Sequence, residues 1–188
     1  IENVNFVPCF TAGTMITTAR GEIAMQDLKV GDMVLTRDSG FQAIRWIGST
    51  AVKAVENFAP IRFAKGALCN NEEMLVSPQH RVLLSGWKAE MLFGEAEVLA
   101  SARSLVNGRN ITVVEGGEVE YFHMMFDRHE IVLSDKAWTE SFHPGDVALD
   151  GMAEAARDEI FTLFPELKSD KSAYGSTARQ VVKPHVVA

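Results

Sequence analysis

Only two cysteines, Cys9 and Cys69, occur in the 188 residues. They can form one disulfide at most, so this is not a disulfide-dense scaffold. No Cys-x-x-Cys pair exists, which argues against a structural zinc centre, and no other cofactor is implied. There is no run of Lys and Arg, and the net charge is -7, so the basic footprint of a nucleic-acid binder is missing. No stretch reaches the roughly 18 uninterrupted apolar residues that a membrane-spanning helix needs. The chain begins at Ile1 and not Met, which suggests an excised or processed fragment; no signal peptide is visible, and a fragment would not show one. What is plentiful is apolar residue: 47% of the chain, enough for a sizeable core in one globular domain.

Short β-branched segments separated by turn residues make up most of the sequence. Thr14–Thr18, Ile23–Met25, Met33–Thr36 and Phe41–Gly48 read as strands, with turns at Arg20-Gly21, Gly31-Asp32 and Asp38-Ser39-Gly40. Pro60–Ala64, Met74–Val76, Arg81–Leu84, Ile111–Val114, Glu118–Phe126 and His129–Leu133 continue the series. This regular spacing predicts a mostly β body. Helix signals are weak before residue 150, with one or two turns at most over Leu99–Val106. A faint repeat relates Leu28-x-x-Gly31-Asp32-x-Val34-Leu35 to Met91-x-x-Gly94-Glu95-x-x-Val98-Leu99.

The C-terminal part differs. Asp150–Phe164 places apolar residues near helical spacing, with Asp150 as an N-cap and Pro165 as the stop. Residues 168–180 are polar and read as a loose segment. The organisation expected is a flank over 1–8, a body over 9–142, and a helical then loose tail over 143–188.

Three groups of residues could carry chemistry. Cys9 can attack the carbonyl of Pro8 and turn the amide into a thioester, given oxyanion stabilisation and a donor for the departing nitrogen. The alternative is that Cys9 is a small buried apolar residue, as free cysteines often are. His80 lies in Ser77-Pro78-Gln79-His80, a polar turn between apolar strands. Its imidazole can donate to a leaving nitrogen, with Ser77 orienting it, or it is simply a turn histidine with a serine cap. His123, Asp127 and His129 form the third group. His123 and Asp127 share a strand face in a regular strand, and a carboxylate there raises the basicity of an imidazole. The same stretch also reads as a strand-end salt-bridge cluster of Asp127, Arg128, His129 and Glu130.

Taken together, three segments resemble Hint domains, the Hedgehog/intein autoprocessing family. CFTAGTMITTARGEIAMQDLKVGDMVLT over Cys9–Thr36 is similar to the opening block. LVSPQHRVLL is similar to the second block, with Ser77 where Thr is usual. EVEYFHMMFDRHEIVLSDKAWTESF is similar to the late block, with His123 where inteins often carry Asp. VPCF, DRHE and ES resemble the bacterial Hint-type domains more than true inteins. The resemblance implies a β horseshoe of short antiparallel strands with pseudo-twofold symmetry. It implies Cys9 as nucleophile and His80 as proton donor at a scissile Pro8–Cys9 bond, and the chain's own N-terminal flank as substrate. It also suggests part of a larger, secreted or surface protein.

Splicing in this family needs a terminal Asn, commonly after His. This chain has no Asn after Asn110, and Thr139-Glu140-Ser141 stands where His-Asn belongs. What remains is single-turnover N-terminal cleavage, with water or a small external nucleophile accepting the acyl group. Pro8 crowds the carbonyl under attack, which favours slow or triggered cleavage. Two other readings stay open: a silent Hint-like structural or binding module, and an ordinary Cys/His hydrolase.

Overall fold

The computed structural model describes residues 7–145, 149 and 152–182. The first half of the body is β1 (Phe10–Thr11), β2 (Met15–Thr18), β3 (Gly21–Ala24), β4 (Met33–Thr36), β5 (Gly40–Ala43), β6 (Trp46–Lys53) and β7 (Ile61–Phe63). The second half is β8 (Met74–Val76), β9 (Arg81–Ser85), α1 (Trp87–Phe93), β10 (Glu97–Ser101), β11 (Ile111–Val113) and β12 (Glu118–Met125). A hairpin follows, β13 (Ile131–Ser134) and β14 (Ala137–Glu140), then α2 (Glu154–Leu163) and β15 (Gln180–Val181).

These strands form two sheets. One runs β11-β7-β8-β1-β12-β6; the other runs β15-β10-β9-β14-β13-β2-β4-β5, with β3 on β2. Read from its two ends, each order mirrors itself. In the first sheet β6 answers β11, β12 answers β7, and β1 answers β8. In the second, β4 answers β10, β2 answers β9, and β13 answers β14. In chain order β1, β2, β4, β6 and β7 therefore correspond to β8, β9, β10, β11 and β12. The faint repeat falls on the approaches to β4 and β10, which are counterparts.

Alternation explains why these segments are strands. In β2, Ile16 and Thr18 are buried between less buried neighbours; in β7, Ile61 and Phe63 face inward around Arg62. The inward residues collect into apolar clusters, and the two main ones each draw on both halves, because β7 and β12 are exchanged between them. Phe10, Ile16, Val34 and Phe122 lie in the first, and Ile61, Phe63, Val76 and Val82 in the second. Burial of each such side chain is worth about 1.5–3 kcal/mol.

The expected strand Phe41–Gly48 is split into β5 and β6 at Ile44 and Arg45, where Ile44 is fully buried and bonds Asp32 and Gly31 outside the ladder. Leu99–Val106 is helical only in its later part. Its first residues complete β10, and Ala102–Leu105 makes a 3-10 turn. The true helix before residue 150 is α1, composed of good helix formers and stopped by Gly94 in the left-handed conformation (φ 72°). Of the Asp150–Phe164 segment, Glu154–Leu163 is helical; Asp150 lies outside the described residues.

The expectation of a loose tail over 168–180 is also corrected. Tyr174 is buried, and its hydroxyl donates to the Phe126 carbonyl at 2.7 Å. Arg179 bonds both oxygens of Asp38 and Oε2 of Glu97, and β15 pairs in parallel with β10. The polar composition is satisfied by partners remote in sequence, which composition cannot display. No helix among the described residues is long and apolar enough to cross a membrane.

Candidate functional site

The sheet register places Cys9. Strand β1 lies between β8 and β12, with Phe10 opposite both Val76 and Phe122. One step back along β1 is one step forward along each antiparallel neighbour. Cys9 therefore faces Ser77 on one side and His123 on the other.

Backbone and side-chain bonds fix this arrangement. The Cys9 amide donates to Ser77 Oγ at 2.9 Å, and the Ser77 amide donates to the Cys9 carbonyl at 3.0 Å. The Ser77 hydroxyl donates in turn to the Val7 carbonyl at 3.1 Å. The Cys9 thiol donates to the same carbonyl at 2.8 Å. His123 Nδ1 lies 3.2 Å from the Pro8 oxygen and 3.4 Å from Cys9 Sγ. A carbonyl can only accept, so this geometry assigns the proton to Nδ1. The carbonyl of the Pro8–Cys9 bond, the thiol and a ring N–H thus converge, around a trans peptide.

Electrostatics follow from burial. Cys9 is 5% exposed, and loss of water pushes its thiol pKa far above the ordinary value, only partly offset by Ser77. The thiol is held neutral. Burial pushes His123 down to about 4, against the opposing effect of its bond to Pro8. It too is a neutral donor near pH 7.

His80 is fully buried, with its ring edge-on to Phe10 at 4.5 Å between centroids. Burial first, and then the charge of Arg81, lower it to about 3; an approach to the Cys9 carbonyl opposes this. Neither ring nitrogen has a hydrogen-bond partner among the described residues. The Cys9 amide is bonded to Ser77 and not to His80.

Two expected members lie elsewhere. β12 ends at Met125, so Asp127 leaves the face of His123 and pairs with Arg45 at the surface. His129 is buried, but its Nε2 meets Glu140 at 3.1 Å and its Nδ1 accepts from the Ala178 amide at 2.9 Å. That places it in the docking of the C-terminal extension, beside Glu140 and His143. His143 bonds the Gly175 carbonyl at 2.9 Å. The predicted salt-bridge cluster survives only as Arg128 with Glu130.

Sequence reasoning misses the wall behind His123. Trp46 stacks over it at 6.3 Å, with ring planes 20° apart, and Phe142 meets it edge-on at 6.0 Å. The spacing Trp46-x-Gly48 is the available signal, a bulky ring two residues from a position without a side chain. Among the described residues no group of His, Cys, Asp or Glu is placed to hold a metal ion.

Comparison with known proteins is consistent with this architecture. A family model described as Hint domain matches residues 8–146. Among solved structures, the bacterial intein-like domain from Clostridium thermocellum is similar, with a TM-score of 0.50 and 16% identity; the match covers 70% of this chain and 96% of that one. A DnaB intein from Synechocystis gives a TM-score of 0.46 at 14% identity, over 71% of this chain and 98% of that one. No curated protein matches. At such identities the structural likeness speaks to the fold alone.

Proposed function

Because the chain belongs to the Hint domain family, we propose that it cleaves its own N-terminal flank by an N-to-S acyl shift at Pro8–Cys9. The observation that carries this reading is His123 Nδ1, 3.2 Å from the Pro8 oxygen and 3.4 Å from Cys9 Sγ. The sulfur attacks the Pro8 carbonyl carbon, and the oxygen gains negative charge. The His123 N–H donates to that oxygen as the charge develops. A new C–S bond forms, the Pro8–Cys9 C–N bond breaks, and the proton lost by the thiol ends on the freed amine. Ser77 holds that nitrogen in line. His80, carried on the same turn and with no hydrogen-bond partner for its ring nitrogens among the described residues, delivers the proton. Water or a small nucleophile then releases the peptide that ends at Pro8 and regenerates the thiol.

The second reading is a silent Hint-like module that does not cut. What favours it is the depth of Cys9, whose buried thiol is hard to ionise. A general hydrolase acting on other substrates is disfavoured by the same burial, since no added substrate reaches a sulfur that is 5% exposed at the residue level.

The test is incubation of the full chain with hydroxylamine or dithiothreitol, followed by mass spectrometry. Release of residues 1–8, abolished by Cys9→Ala, supports the acyl shift. A chain that stays intact after prolonged treatment leaves the silent module.

A further inference from the structure

The His123 ring must present Nδ1 to the Pro8 carbonyl, yet little holds it there by hydrogen bonding. Its only other polar contact among the described residues is the thiol, 3.7 Å from Nε2. Its orientation is therefore a matter of packing. Gly48 lies directly opposite His123 in the β6–β12 ladder, and Trp46 lies opposite Met125. Trp46 and Gly48 share a face, so Trp46 is the diagonal neighbour of His123. A Cβ placed on Gly48 would meet Cη2 and Cζ2 of the indole at 2.6 Å. The indole lies across position 48 because there is no side chain there, and this brings it to the face of the imidazole.

The indole is itself tethered. Its Nε1–H donates to Oε2 of Glu159 at 2.9 Å. Glu159 is an exposed residue of α2, in the C-terminal extension beyond the family match, which ends at residue 146. The next residue, Ile160, is buried in the same apolar cluster as Trp46 and Phe142, and Val7 packs against that cluster.

We propose that Trp46, tethered by Glu159, is the positioning residue that keeps the His123 ring against the scissile carbonyl, so that the C-terminal extension is part of the processing apparatus. The proposal rests on the acyl-shift reading for its consequence, and on the packing for its geometry. A ring free to turn about its last torsion presents its N–H to the carbonyl only part of the time. A charge-assisted bond to a buried indole removes that freedom.

The test uses the full chain and two readouts: the rate of hydroxylamine-driven release of residues 1–8, and the titration of His123 followed by nuclear magnetic resonance. Glu159→Ala, at an exposed site, should slow release by roughly tenfold. It should also move the His123 titration upward from about 4 as water reaches the ring. Glu159→Gln retains an acceptor and should restore both. Trp46→Phe should match Glu159→Ala, and the double variant should lose nothing more. Unchanged rate and titration in Glu159→Ala would overturn the proposal. So would a slower rate with an unmoved titration and lowered stability, which marks a merely structural contact. Should the parent release no peptide, the acyl-shift reading fails, while the titration still decides whether Trp46 and Glu159 position His123.

Discussion

Ser77 and Cys9 grip each other twice: the Ser77 amide donates to the Cys9 carbonyl at 3.0 Å, and the Cys9 amide donates to Ser77 Oγ at 2.9 Å. Removing the hydroxyl strands a buried N–H. Ser77→Ala should therefore lower unfolding free energy by about 1–3 kcal/mol in urea titrations. Ser77→Thr should stay near the parent, since it keeps the acceptor. Equal midpoints for the alanine variant and the parent would show that the bond contributes nothing.

His123 and Asp127 should separate cleanly in kinetics. Loss of a donor aimed at a developing oxyanion costs roughly 100- to 1,000-fold, so His123→Ala should reduce hydroxylamine-driven cleavage by that order. Asp127 is 65% exposed at its side chain and pairs with Arg45 at the surface, so Asp127→Ala should leave the rate within about threefold. A large loss from Asp127→Ala would restore it to the site.

Part of the candidate site is legible in the sequence. Cys9, Ser77 and His80 stand out because each sits where a turn meets an apolar strand, and strand alternation is a local signal. His123 is legible as a residue, but sequence spacing groups it with Asp127 and His129. That grouping assumes a regular strand to residue 127, whereas β12 ends at Met125. Where a strand stops depends on its partners: Met125 is the last β12 residue opposite β6, facing Trp46. The tail misleads for the same reason. Arg179 finds Asp38 and Glu97, and Ala178 finds His129, across separations that no local pattern encodes.

Acid should weaken the fold. His80 and His123 are pushed down to about 3 and about 4, below the ordinary value near 6.5. As pH falls through about 6.5, the unfolded chain takes up protons that the folded chain refuses. Their stabilisation is complete above that pH and declines towards pH 4 and 3. Asp135 has the opposite sign. Burial raises it to about 6, so its contribution, full below the ordinary carboxylate range, is lost as pH rises through 6. Two buried rings, each displaced further from its ordinary value, outweigh the one buried carboxylate. Urea midpoints should drop between about pH 7 and about pH 4.5, and the slope should flatten in a His80→Gln, His123→Gln double variant. A midpoint that rises with acid would refute this balance.

Gly48→Ala should be costly for its size. The new Cβ meets the Trp46 ring at 2.6 Å, so the indole must shift. Overpacking of this kind typically costs about 1–3 kcal/mol, measurable by thermal or urea unfolding. An unchanged midpoint would mean that the ring relocates freely.

Arg179→Ala should release the end of the chain without harming the body. Its guanidinium spans Asp38 and Glu97, one on each side of the second sheet's centre, while the Val182 amide donates to the Leu99 carbonyl. Hydrogen exchange at Val182 should accelerate, and amides of β12 and β13 should keep their protection. Global acceleration would show that the extension is not a separable unit.

The mirrored strand order also sets a clock. Cys9 is made well ahead of its partners: Ser77 lies 68 positions later and His123 lies 114 positions later. Both contacts run between strands of the first sheet, and neither half of the body contains the whole set. At translation speeds of roughly 5–20 residues per second, on the order of ten seconds separates the thiol from the His123 ring. Non-local pairing of this kind also closes slowly. Under the proposed acyl shift, the junction at Pro8 would stay inert on the nascent chain, and a polypeptide joined ahead of it would have that interval to fold before release.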